Sequence, residues 1–155
     1  MKGVHPSVCT HHIYIKEYCK LVRKPQRRMN LALKDIIKEE LQKLLNAGFI
    51  YPISDSEWVS PLVLVPKKNG KWRIYVDYRE LDKATKRDHF PLPFIDQVLD
   101  GLAGKKFFSF LDGFSRYNLI QISLKDQDKT TFTCPWGTFE YPVHPFGLFN
   151  APTTF

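Results

Sequence analysis

The chain has 155 residues, 43% of them hydrophobic and 14% aromatic, which suffices to bury a core and excludes disorder throughout. Its formal net charge of +7 is uneven, because residues 1–87 carry 18 basic and 9 acidic side chains and residues 88–155 carry 5 and 7. The first part therefore favours a polyanionic partner, although a merely soluble basic face fits the charge alone.

Cysteine usage and hydropathy narrow the class of protein further. Three irregularly spaced cysteines argue against a disulfide framework and for a reducing compartment. The spacing of Cys9, His11, His12 and Cys19 matches no common zinc site, so we expect solvated side chains there. No apolar run approaches the ~20 residues of a membrane helix, and no secretory signal or clear transit peptide is present, so we expect an intracellular protein without a membrane partner.

The first predicted elements are an arm and a helix. Residues 1–29 show no sustained periodicity, which predicts an N-terminal arm or linker. Asn30 is a predicted N-cap, and leucines and isoleucines then recur at helical spacing until Gly48. The arm ends in a basic cluster of Arg23, Lys24, Arg27 and Arg28.

A cationic β-hairpin follows. Residues 61–66 and 72–77 are short apolar segments joined by an Asn-Gly turn. Such a tip suits phosphate groups, although lysines at a sheet edge can also serve solubility alone. The cations are Lys67, Lys68 and Lys71 at the tip and Arg73 on the second strand.

The next segment brings one carboxylate to the end of a strand. Apolar side chains share one face of a helix predicted over residues 94–102, which Gly104 ends. Residues 107–111 form a predicted buried strand that delivers Asp112 to a turn, and the helix should pack beneath that strand.

Further β-prone segments complete the expected fold. A last helix begins at residues 150–152. Together these elements predict an α+β fold with a mainly antiparallel sheet and packed helices. The β-prone segments are residues 118–123, 130–134 and 138–143.

Asp112 and the cationic hairpin suggest phosphoryl or nucleotidyl transfer assisted by Mg²⁺. A pair of metal ions needs a second carboxylate to hold it, and no other acid follows a comparably apolar strand. We expect that partner beyond Phe155. The acids within the chain that lack such a strand, and that we therefore do not expect to be the second metal ligand, are Asp77, Asp82, Asp126, Asp128 and Glu140.

A series of short segments follows, in the same order along the chain, the sequence pattern of one family. Through these segments the chain resembles the reverse transcriptase of gypsy-type LTR retrotransposons. The resemblance implies a right-hand polymerase, incomplete here, with its fingers and part of its palm. The implied divisions are an arm (1–29), fingers (30–88), palm helix and strand (89–119), and a return to the fingers with the start of a truncated palm helix (120–155). The matching segments are residues 25–28, 48–56, 58–61, 65–68, 72–74, 76–79, 90–93, 108–112, 145–148 and 150–152.

The resemblance also implies roles for single residues. Asp112 would be the catalytic carboxylate and a ligand of one of two Mg²⁺ ions, and Tyr117 would be the steric gate against a 2′-hydroxyl. The implied partners are an RNA template, a DNA primer and dNTPs, together with the rest of a Pol polyprotein if the reading frame continues. The other implied contacts are Lys67, Arg73, Phe146 and Gly147 to the dNTP, and Lys68, Lys71, Arg27 and Arg28 to nucleic acid.

Some residues depart from the family pattern or allow a structural role. Arg116 replaces a usual Gly, His144 a usual Met and Asp82 a usual Asn. Tyr117 could be only a packed aromatic. We expect Trp58 and Trp72 in the core and an Asp77–Arg79 ion pair.

The 155 residues contain no Tyr-x-Asp-Asp, the family's other metal-binding motif. We therefore expect a fragment or degenerate copy of an RNA-directed DNA polymerase, truncated before that motif and inactive alone. The alternatives are a catalytically silent nucleic-acid-binding module and a non-functional remnant that does not fold stably.

Overall fold

A computed structural model describes residues 3–66, 70, 72–90, 93–109 and 116–154. No helix in these ranges is both long and apolar enough to cross a membrane. The helices are α1 (Leu31–Asn46), α2 (Arg79–Ala84), α3 (Ile95–Leu102) and α4 (Ala151–Thr154). The strands are β1 (Thr10–His11), β2 (Tyr51–Pro52), β3 (Ser60–Pro66), β4 (Trp72–Val76), β5 (Gln121–Ile122), β6 (Phe132–Cys134) and β7 (Gly137–Glu140).

The main sheet has five strands in the order β2-β7-β6-β3-β4. Every neighbouring pair is antiparallel except β3 and β6, which run parallel. The predicted hairpin is the β3–β4 pair, whose register runs from Leu62 opposite Val76 to Pro66 opposite Trp72. The expected α+β class with a mainly antiparallel sheet is confirmed.

Helix α1 forms where the periodicity predicts it. The Asn30 side chain caps it, because Oδ1 accepts a hydrogen bond from the Ala32 amide at 3.1 Å. Gly48, at φ +71°, lets the chain turn away after the last helical residue. Ile37 and Leu41 are 0% and 3% exposed, so the apolar stripe of α1 lies in the core.

The core joins α1 to the sheet and includes Leu62, Phe132 and Trp58. Trp58 is buried, as expected, and Trp72 is only partly buried. The buried Tyr78 donates a hydrogen bond to the Thr130 carbonyl at 2.8 Å, which ties the chain after β4 to the turn before β6.

The N-terminal segment is more ordered than predicted. Strand β1 pairs in parallel with β5, His11 is 3% exposed and Ile13 is also buried. The prediction of solvated side chains around Cys9 and His12 is therefore wrong for His11. Alternation of apolar and polar residues cannot predict this strand, because only two residues form it.

The expected buried strand at residues 107–111 is not found in its described part. Residues 107–109 are outside any strand, and Phe107 is 92% exposed. Helix α3 has the predicted position but buries none of its residues. Among the described residues, no strand lies beside this segment. An apolar sequence forms part of a sheet only when a neighbouring strand pairs with it.

The predicted strand at residues 118–123 is also wrong over its first half. A 3₁₀ helix covers Arg116–Leu119, and the Ile120 amide donates to the Tyr117 carbonyl at 3.0 Å. Only Gln121 and Ile122 find a partner strand. The later strands, β6 and β7, agree with the prediction in position but are shorter.

Candidate nucleotide and nucleic-acid site

An open cavity of about 300 Å³ lies between α1, β4 and residues 145–146. Arg73 and Phe146 both line it, although they are 73 positions apart in the chain. Arg73 is exposed, and its Nη1 donates to the Tyr75 hydroxyl at 3.3 Å. The cavity therefore presents a guanidinium and an aromatic face to solvent.

Tyr117 lies at the same place. Its ring meets the Phe146 ring edge to face, with centroids 5.5 Å apart and an interplanar angle of 77°. On another side it contacts the ring of His144 at 5.6 Å. Tyr117 is thus both partly buried and in contact with the predicted pocket floor, so packing and a ligand contact are compatible.

The loop that carries Phe146 and Gly147 is held by hydrogen bonds from distant segments. The Phe149 amide donates to Asp82 Oδ1 at 2.9 Å. Gly147 has φ +106°, a conformation that favours glycine, and it packs against Val76 and Tyr78. The loop is therefore fixed against β4 and α2 and not free at the surface.

The Asp82 carboxyl is electrostatically unusual. Burial raises its pKa from 3.8 to about 6, the bond from the Phe149 amide opposes that rise, and the charge of Asp77 adds to it. An amide at this position would keep the acceptor without the buried charge.

A second cleft, of about 260 Å³, is lined by three basic and two acidic side chains together with two prolines. Arg27 and Arg79 both bond Asp77 Oδ2, at 2.5 Å and 2.6 Å, which confirms the expected Asp77–Arg79 ion pair and adds Arg27 to it. These hydrogen bonds, chiefly from Arg79, lower the pKa of Asp77. Arg28 is exposed and makes no ion pair within the described ranges.

Four predicted site residues lie outside the described residues: Asp112, Lys67, Lys68 and Lys71. Arg73 and Phe146 line the first cavity, Tyr117 packs against Phe146, and Gly147 lies next to Phe146 against Val76 and Tyr78. Arg27 lines the second cleft. The roles of all these residues in binding nucleotide, metal or nucleic acid remain predictions.

The sequence did not predict some of the residues that lie at this site. Tyr75 alternates with Arg73 on β4, so the period of the strand could have found it. Asn118 lines the cavity, and His11 contacts His144 with centroids 4.3 Å apart. No sequence signal links His11 to His144, because only the fold brings them together.

The chain matches known proteins over most of its length. The profile of the family described as reverse transcriptase (RNA-dependent DNA polymerase) matches residues 65–155. The Retrovirus-related Pol polyprotein from transposon 412 of Drosophila melanogaster is 38% identical over 149 residues, covering 92% of this chain and 11% of that protein. The Transposon Tf2-3 polyprotein of Schizosaccharomyces pombe is 40% identical over 119 residues, covering 77% and 9%.

Solved structures share the fold. A foamy viral protease-reverse transcriptase in complex with dsDNA superposes with a TM-score of 0.80 at 25% identity, covering 94% of this chain and 30% of that chain. This chain thus spans about a tenth of the length of the curated relatives it matches.

Proposed function

Because this chain belongs to the reverse transcriptase (RNA-dependent DNA polymerase) family, we propose that it forms the fingers and first palm segment of a gypsy-type retrotransposon polymerase. Residues 1–29 are the arm, 30–88 and 120–155 belong mainly to the fingers, and 89–119 begin the palm. The observation that carries this proposal is that Arg73 and Phe146 line one cavity and that the Tyr117 ring packs against the Phe146 ring.

The cavity takes an incoming dNTP. The Arg73 guanidinium, exposed at its edge, bonds the triphosphate, and Lys67 adds a second cation. In this proposal the Tyr117 ring lies under the sugar, where it would exclude a 2′-hydroxyl, and its edge-to-face contact with Phe146 supports the ring in that position. Gly147 lets the backbone approach the nucleotide without a side chain.

The basic cleft holds the nucleic acid. A relative of this chain was solved with dsDNA, and we propose that this chain binds a DNA primer on an RNA template. Three cations, Lys24, Arg27 and Arg79, line the cleft beside the two carboxylates of Asp77 and Glu80, so its lining keeps a small net positive charge toward phosphates. Arg28, Lys68 and Lys71 extend that surface.

Within the described ranges, no group of three or more His, Cys, Asp or Glu side chains could hold a metal ion. Mg²⁺ prefers six oxygen ligands, and in this proposal Asp112 would supply one carboxylate, so further ligands would be needed to hold the ion. When bound, the metal would neutralise charge on the transferred phosphate. We propose that the remaining carboxylates come from outside these 155 residues and that the chain alone does not catalyse.

Primer extension tests this proposal. The chain is incubated with an RNA template, a labelled DNA primer, dNTPs and Mg²⁺, beside a complete reverse transcriptase as the reagent control. We expect no extension by the chain. Template-dependent incorporation that disappears with Asp112→Asn would show that the 155 residues hold a complete site and would contradict the proposed inactivity.

A catalytically silent nucleic-acid-binding module is the second candidate. Two observations favour it: Arg28 is exposed, and Arg27 and Arg79 share the one carboxylate of Asp77. Positive charge is therefore available at the surface. This candidate requires binding to nucleic acid without primer extension. Binding of an RNA/DNA hybrid that weakens with added salt would separate it from a chain that binds nothing.

A further inference from the structure

Four aromatic rings form a continuous row from the N-terminal segment to the proposed nucleotide pocket. His11 meets His144 edge to face at 4.3 Å and 75°. His144 meets Tyr117 at 5.6 Å in a tilted arrangement, with an interplanar angle of 44°, and Tyr117 meets Phe146 edge to face at 5.5 Å. Each ring therefore packs against the next and limits the orientations that it can adopt.

His144 is held rigidly in the middle of this row. It is 0% exposed, and its backbone amide donates to the Ile120 carbonyl at 2.8 Å. Neither ring nitrogen has a hydrogen-bond partner among the described residues. The ring is therefore located by packing against its neighbours, and its position depends on what those neighbours are.

His11 is anchored from outside the pocket. Strand β1 pairs it with Ile122, and the Ser123 amide donates to its carbonyl at 2.9 Å. Its ring Nδ1 lies 2.8 Å from the Thr154 hydroxyl in α4. Three separate segments thus determine where the His11 ring meets His144.

Burial keeps both histidines neutral. It lowers the pKa of His11 to about 4, against the opposing charge of Asp126, and that of His144 to about 3. At neutral pH the two rings pack without charge repulsion, which the close edge-to-face contact requires.

We propose that His11, acting through His144, is a positioning residue for Tyr117, so that the N-terminal segment is part of the nucleotide pocket. This inference rests on the proposed role of Tyr117 at the nucleotide sugar. It makes the orientation of Tyr117, and with it the preference for dNTPs over rNTPs, depend on a residue 106 positions earlier in the chain.

Two readouts on the same variants test the inference. Aromatic NMR signals of Tyr117, assigned with Tyr117→Phe, report the ring position, and titrations with dTTP and with 5-methyluridine triphosphate, which differs from it only by the 2′-hydroxyl, report binding. His11→Leu fills the space without an aromatic edge and should shift the Tyr117 signals and weaken dTTP binding by about three- to tenfold. His11→Phe restores a ring and should recover both. His12→Ala changes the neighbouring exposed histidine and should change neither.

Unchanged Tyr117 signals in folded His11→Leu would overturn the inference, as would an equal shift in His12→Ala. If the wild-type chain binds no dTTP, the proposed nucleotide pocket fails, while the ring signals still decide whether His11 positions Tyr117.

If His11→Leu does not fold, His11→Gln also removes the ring but keeps a polar group for the Thr154 hydroxyl, and the same shift of the Tyr117 signals is expected. In the His144→Met background the connecting ring is gone, so removing the His11 ring by the same substitution should leave the Tyr117 signals of that background unchanged. A shift as large as the one this substitution causes with His144 present would contradict transmission through His144.

Discussion

Asp82 places a partly buried carboxyl where the resembled family usually has a neutral amide. Its pKa of about 6 in the folded chain exceeds its ordinary value of 3.8, so the free energy of unfolding falls as the pH rises from about 4 to 6. Asp82→Asn keeps an acceptor for the Phe149 amide and removes the charge. We expect it to raise the free energy of unfolding by about 1 kcal/mol at pH 7.5, after allowance for solvent screening, and by much less at pH 4.

Urea unfolding at the two pH values measures this difference. Asp55→Asn is the matched control, because Asp55 is exposed and pairs only with Arg23 at the surface. A destabilising Asp82→Asn at pH 7.5, or a gain that is equal at both pH values, would show that the Asp82 charge is not penalised.

The buried histidines give the opposite pH dependence. The folded pKa values of His11 and His144 are lowered from 6.5 to about 4 and about 3. Their contribution to stability is therefore present above pH 6.5 and is lost as pH falls toward 4, by up to about 3 kcal/mol for each histidine. The charged groups that act on His11 are Asp126, His12 and Asp88, and His11 acts on His144.

The double variant His11→Phe/His144→Met should flatten this loss when unfolding is followed from pH 7 to pH 4.5. Since both replacements are uncharged at every pH, the remaining slope belongs to the carboxylates. If the variant and the wild-type chain lose stability in parallel, the histidines are not neutral in the fold.

At the scale of elements, the same amphipathic pattern has different outcomes in α1 and α3. Leu41 in α1 is 3% exposed and Leu99 in α3 is 57% exposed. Leu41→Ala should lower the free energy of unfolding by about 2–4 kcal/mol. Leu99→Ala should change it by less than about 0.5 kcal/mol. Because the chemical change is identical, the pair is its own control, and equal losses would place α3 in the core.

Local sequence patterns predict a helix, a strand or a turn, but they do not determine which other element it packs against or pairs with. Asn30, Gly48 and the Asn-Gly turn predict α1 and the β3–β4 hairpin, since caps and turns act over a few residues. The segments at 107–111 and 118–123 have strand-like sequences, yet a strand forms only where a partner is within hydrogen-bonding reach. Gln121 and Ile122 have such a partner in β1, and residues 107–109 do not have one among the described residues.

At the scale of the molecule, the site joins segments that local patterns cannot connect. The family motifs predict Arg73, Tyr117 and Phe146 one by one, and the fold then places Arg73 and Phe146 in the lining of one cavity, with the Tyr117 ring against Phe146. The contact of His11 with His144 belongs to no motif, because it depends on pairing between β1 and β5. Asp112 and the hairpin lysines lie outside the described residues, so their roles stay predictions.

Binding of a fluorescent RNA/DNA hybrid across a salt series tests the central claim most directly. We predict affinity that falls steeply with salt, with a slope of about 0.9 for each phosphate contact. The double variant Arg27→Ala/Arg28→Ala should reduce that slope by about 1–2. Lys38→Ala/Lys125→Ala removes the same charge at other exposed positions and should leave it unchanged. Salt-independent binding, or equal losses in the two double variants, would contradict a fingers surface that holds template and primer.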